Sequence, residues 1–159
     1  MEATAHGAVG GSVAGVPPGF EPIAVGGPFI ASNGPLYLYH QGDDVRLGLR
    51  VEKRHTNPMG NLHGGMMASF CDMLMPLAVH ARDERLRDHF LPTISLHIDY
   101  LAPAGEGAWL EGRAELLRAT HSMVFARGLV TADGVLCVRA NTVCKIGPTG
   151  FSLGLVASE

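Results

Sequence analysis

A histidine, a glycine pair and one acid stand close together in "NPMGNLHGGMMASFCDMLMP", from Asn57 to Pro76, and their types and spacing could do chemistry on a carbonyl group. A helix opened by Gly64 and Gly65 presents free backbone N–H groups at its positive end, with no side chain to keep a ligand away. Such a donor can hold a carbonyl oxygen as it gains negative charge, a contribution of roughly 3 to 4 kcal/mol to a transition state. The pair could also serve only as a tight turn into the helix, and His63 before it as a local hydrogen-bonding group. Asp72 shifts that balance. From Met66 to Ala81 only Ser69, Asp72 and His80 are polar. A helix apolar nearly all round is one wrapped by its domain, where a carboxylate needs a reason.

Spacing adds a geometric condition. Asp72 lies eight residues after Gly64, about 80° round and about 12 Å along a helix. That is long for one active site built from one chain. In a two-fold dimer the glycine end of one helix can meet the acid of its mate.

The remaining reactive side chains point elsewhere. Cys71, Cys137 and Cys144 are too few and scattered for a disulfide framework or a zinc site, and no metal is expected. Cys137 and Cys144, seven apart, would face opposite ways on a regular strand. Cys71 reads as core, because neighbouring helix positions diverge by about 100° and no thiolate partner is evident. His97 and Asp99 share a strand face but lack further partners and read as surface. Arg113, Arg118, Arg127, Arg139 and Lys145 are candidates for phosphate contacts. The methionines Met66, Met67, Met73 and Met75 read as core or as the lining of a tolerant pocket.

The elements that position these residues can be read from periodicity. Residues 1–22 are rich in Gly, Ala and Pro and read as a flexible arm; 23–150 form the domain and 151–159 a tail. Short strand candidates flank "SNGP" near Phe29. In "VRLGLRVE", Val45, Leu47, Leu49 and Val51 alternate with Arg46, Gly48, Arg50 and Glu52, the period of a half-buried strand. Ile94, Leu96, Ile98 and Tyr100 fall on one face of "TISLHIDYLAP", with Thr93, Ser95, His97 and Asp99 on the other. Three more strands follow, with "ADG" at Ala132 to Gly134 as a hairpin signal, and short links predict a four-strand meander after the helix. The reading is an α+β fold, one curved antiparallel sheet wrapped round a long central helix, with edges that predict pairing to a second copy.

At 159 residues with 47% hydrophobic and 17% charged residues, the chain reads as one lightly charged domain. A net charge of −3 argues against general nucleic-acid binding. No run approaches the roughly 18 apolar residues of a membrane span, and no secretory signal is evident, so a cytoplasmic location is expected.

The combined pattern "NPMGNLHGG", the acid nine residues after the histidine, "LPTISLHIDYLAPA" and "CKIG" resembles the hotdog-fold acyl-CoA thioesterases of the phenylacetate-pathway PaaI type over about Phe29 to Gly147. The resemblance implies a hotdog fold, a homodimer that pairs into a dimer of dimers, and active sites at the dimer interface. It gives Asp72 the role of general base or nucleophile and the Gly64 N–H that of polarising the thioester carbonyl. Asn57 and His63 would position the thioester or water, and Thr93 would help hold the attacking water. His121 and Ser122 fall where the CoA arm of the substrate is contacted. The implied reaction is hydrolysis of an aryl or medium-chain acyl-CoA, with CoA part of the substrate and no separate cofactor. The alternative is a non-catalytic acyl-CoA-binding or regulatory hotdog protein. Pro76 departs from the pattern, because some relatives place a hydroxyl one turn after the acid. It also removes the helix hydrogen bond to the Asp72 carbonyl. Semi-burial would make Asp72 a stronger base, while the helix-end field and hydrogen bonds would oppose that.

Overall fold

A computed structural model describes residues 15–151; the first fourteen residues of the expected arm and most of the expected tail lie outside the described residues. One sheet of seven strands is formed by β1 (Glu21–Ile23), β2 (Leu36–Gln41), β3 (Asp44–Arg50), β4 (Thr93–Tyr100), β5 (Trp109–Ala119), β6 (Met123–Ala132) and β7 (Val135–Lys145). Two α-helices accompany it, α1 (Gly27–Asn33) and α2 (Gly64–Arg82). The order across the sheet is β1-β2-β3-β5-β6-β7-β4, with every pairing antiparallel.

Local rules account for most of these elements. β3 buries Val45, Leu47 and Leu49 and leaves Arg46 and Arg50 half-exposed, so its alternation turns one face to the core. Asp133 and Gly134 both take positive φ, 47° and 83°, the geometry of the two-residue turn that matches the twist of its strands. Phe70, Leu74 and Met75 lie buried on α2. They pack over the sheet where it has no side chains: a Cβ at Gly112 would stand 2.7 Å from Leu74, and one at Gly128 2.8 Å from Met75.

Four expectations need correction. Phe29 lies in α1 rather than near a strand start. The four-strand meander is a three-strand one: β5, β6 and β7 run on as neighbours, but β4 pairs with β7 at the far edge. The 101–108 link therefore crosses the sheet instead of closing a hairpin.

The third correction concerns α2, which is not wrapped all round. Gly65 and Asp72 are exposed, and Ser69, Met73 and Pro76 half-buried, along one open stripe. Asp72 is thus a solvent-facing acid within the protomer. The helix continues unbroken through Pro76 to Arg82.

The fourth is strand regularity. The register slips by one residue at Ile94 in β4, at Leu117 in β5 and at Cys137 in β7. Each extra residue is a β-bulge, which bends a strand and increases its twist. The bulge at Cys137 defeats the opposite-face expectation, and Cys137 and Cys144 are both buried. The bulge at Ile94 turns Thr93 onto the helix side.

Candidate active site

The start of α2 is capped by its own histidine. His63 keeps an extended backbone, and its Nδ1 accepts the Gly65 N–H at 2.9 Å. The N–H groups of Met66 and Met67 reach the His63 carbonyl oxygen at 2.9 and 3.1 Å. Gly64 is left with the one N–H of this turn that has no partner among the described residues. Because Nδ1 accepts, neutral His63 carries its proton on Nε2.

The loop before the helix fixes Asn57. Its Oδ1 accepts the N–H groups of Met59 at 2.9 Å and Asn61 at 3.2 Å, and its own N–H donates to the Asn61 carbonyl at 2.7 Å. The two Nδ2 protons remain unpaired among the described residues and can donate outward. A cavity of about 300 Å³ opens here, lined by Asn57, Asn61, Met67 and Tyr100. A second, of about 240 Å³, lies between α1 and α2, with Phe29, His63, Gly65, Met66 and Ser69 on its walls.

Two turns along α2, the Thr93 hydroxyl donates to Asp72 Oδ1 at 2.7 Å. Thr93 pairs with Cys144, which pairs with Val124, which pairs with Ala119. This row leads straight to the β5–β6 turn that carries His121 and Ser122, both exposed. Thr93, His121 and Ser122 thus share one end of the sheet, whereas Asn57, His63 and Gly64 cluster at the start of α2. The sequence-derived set falls into two groups within one chain.

Sequence reasoning missed Tyr100. Its hydroxyl donates to the Gly64 carbonyl oxygen at 2.7 Å, and the partial desolvation of an otherwise exposed side chain pushes the phenol up. Its signal was a tyrosine on the helix-facing side of a strand otherwise lined by Leu96 and Ile98, where a hydroxyl needs a partner. The other reactive groups have structural places. Cys71 is fully buried and its thiol pushed up to about 12 by desolvation, so it is no nucleophile. Arg113 pairs with Glu111 and Asp44, Arg127 with Glu115, and Arg139 with Asp99, all on the sheet's outer face. His97 also meets Asp99, at 3.2 Å. Arg118 and Lys145 have no ion-pair partner among the described residues and flank the turn at His121, opposite Phe125 and Met123 respectively. Among the described residues no helix is long and apolar enough to cross a membrane.

An antiparallel sheet curved over one long helix, with a glycine-opened helix start and an acid two turns on, is the architecture of a hotdog thioesterase. The chain belongs to the Thioesterase superfamily, whose family model matches residues 59–138. It is a thioester hydrolase. An esterase-named protein of Pseudomonas aeruginosa, PA0474, is 27% identical over 80% of this chain and 95% of its own length. Mouse acyl-coenzyme A thioesterase 13 is 28% identical over 49% of this chain, which spans only 54% of that relative. The phenylacetic acid degradation protein PaaI of Thermus thermophilus superposes with a TM-score of 0.64 at 24% identity, over 75% of this chain and 98% of its own, a likeness of fold.

Proposed function

We propose that the protein hydrolyses acyl-CoA thioesters, aryl or medium-chain, to the free acid and CoA. The observation that carries this reading is the pair of groups on α2: a Gly64 N–H at its start with no partner among the described residues, and at its open face an Asp72 carboxylate held by the Thr93 hydroxyl. The names of the acyl-CoA thioesterase relative and of the PaaI structure support the substrate class.

The two groups act on one substrate in a dimer. β4 is a sheet edge that exposes Ile94 and Tyr100, each 56% accessible, an edge that invites a further strand. Thr93 and Tyr100 are the two ends of β4. Two-fold antiparallel pairing of β4 about its middle sets Thr93 opposite the partner's Tyr100. The Asp72–Thr93 corner then meets the partner's Gly64, which completes the site and covers the open stripe of α2.

The thioester oxygen lies at the Gly64 N–H, with the Asn57 carboxamide and His63 Nε2–H as further donors. Asp72 takes a proton from water, whose oxygen bonds to the carbonyl carbon while the π electrons move to the oxygen held by Gly64. Collapse breaks the C–S bond, and the departing thiolate recovers the proton. The nucleophilic variant forms the bond from an Asp72 oxygen instead, and water then opens the resulting anhydride. The CoA arm runs toward His121 and Ser122, with Arg118 and Lys145 free to meet its phosphates. The groups needed come from the chain and water, with no cofactor.

Thiol release from a panel of aryl and medium-chain acyl-CoAs tests this reading. Purified protein is expected to release CoA, and Asp72→Ala to lose about a hundredfold or more in kcat while melting like the parent. Full turnover by that variant overturns the assignment of Asp72, and no thiol release from any acyl-CoA overturns the substrate class.

A further inference from the structure

Both functional ends of α2 are tied to the same strand. At one end of β4 the Thr93 hydroxyl donates to the Asp72 carboxylate, and at the other the Tyr100 hydroxyl donates to the Gly64 carbonyl, each at 2.7 Å. The second tie bears on the donor that the proposed chemistry needs most. Gly64 and Gly65 have no Cβ and the widest conformational freedom of any residues, and the first turn of a helix is where hydrogen bonding is incomplete. The Met66 and Met67 N–H groups hold the His63 carbonyl, and His63 Nδ1 holds the N–H end of the Gly64–Gly65 peptide, whose carbonyl end is fixed from the side facing β4.

Tyr100 supplies that hold in two ways. Its hydroxyl fixes the Gly64 carbonyl, and its ring lies against the residue: a Cβ built on Gly64 would stand 3.5 Å from the hydroxyl oxygen and 3.6 Å from the ring carbon that bears it. The same ring walls the cavity that Asn57 lines. We propose that Tyr100 is a positioning residue of the hydrolase site, its phenol locking the glycine-glycine start of α2 so that the Gly64 N–H stays aimed at the thioester oxygen. This inference rests on the acyl-CoA reading above.

Tyr100→Phe tests it, because the ring and its packing remain and only one hydroxyl is lost. Turnover is first established for the parent protein on the acyl-CoA panel; its absence there would overturn the acyl-CoA reading, and the tyrosine proposal with it. With an active parent, Tyr100→Phe is expected to lower kcat about tenfold, the scale of one lost hydrogen bond, with KM changed less than about twofold. The same variant is expected to bind an acyl-CoA trifluoromethyl ketone, whose hydrate carries the tetrahedral oxygen, about tenfold more weakly, and free CoA as tightly as the parent does. A residue that only stabilised the fold would not separate these two ligands. The proposal is overturned if kcat stays within twofold of the parent, or if CoA and the ketone weaken by the same factor.

Discussion

Thr93 donates a hydroxyl hydrogen bond to the one carboxylate on the open stripe of α2, and Asp72 is thereby held while its other oxygen has no partner among the described residues. Thr93→Val keeps the shape and removes the donor. Asp72 remains solvated in the protomer, so stability should change by less than about 0.5 kcal/mol, while kcat should fall about three- to tenfold through loss of one hydrogen bond to a charged group. Unchanged kcat would remove Thr93 from the site. Pro76 acts at the same scale. Without an N–H it leaves the Asp72 carbonyl short of its helix partner, and it lies on the open stripe one turn beyond the acid, where its ring adds an apolar surface rather than a hydroxyl.

At the scale of elements, what could be read from the chain followed what is local. Alternation in β3, the apolar run of α2 and the Asp133-Gly134 turn are fixed by residues within a few positions of each other, and all three were legible. Thr93 was not, by pattern alone. Strict alternation puts it on the face of Ser95 and His97, and only the extra residue Ile94 brings it round to Asp72. A bulge depends on the partner strand, here β7, which arrives some 45 residues later, so its position leaves no mark in the period of β4. The far-edge placement of β4 was hidden for the same reason. His63 was left open between a local hydrogen bond and catalysis; it makes that local bond as a cap, and its Nε2 has no hydrogen-bond partner among the described residues. Asp72 was legible as an anomaly, although the protomer explains it as an exposed acid rather than a buried one.

At the scale of the whole molecule, two buried histidines set a limit on acid tolerance. His55 takes the Glu52 N–H on Nδ1 and donates from Nε2 to the Asn33 carbonyl; His80 donates from Nε2 to the His89 carbonyl and leaves Nδ1 buried without a partner among the described residues. Desolvation, the largest influence on each, holds both below the ordinary value of 6.5. The sign follows. Their contribution is complete above about pH 6.5, where folded and unfolded chains both carry neutral rings. As the pH falls below that value the unfolded chain takes up protons first, and stability declines by up to about 1.4 kcal/mol per pH unit for each histidine until the folded rings titrate. The urea midpoint should therefore drop between pH 7.5 and 5.5; a midpoint constant over that interval would show that these rings are not held neutral.

The double tie between β4 and α2 has a genetic consequence. If each site takes its amide from one subunit and its carboxylate from the other, two different dead proteins can restore each other. Gly64→Pro deletes the amide where proline is tolerated, at the first helical position after an extended His63, and Asp72→Ala deletes the acid. In freely exchanging dimers about half the molecules are mixed and each holds one undamaged site, so activity should recover to about a quarter of the parent's. Silence in the mixture would place both groups of each site within a single chain, and recovery would count the subunits that every turnover requires.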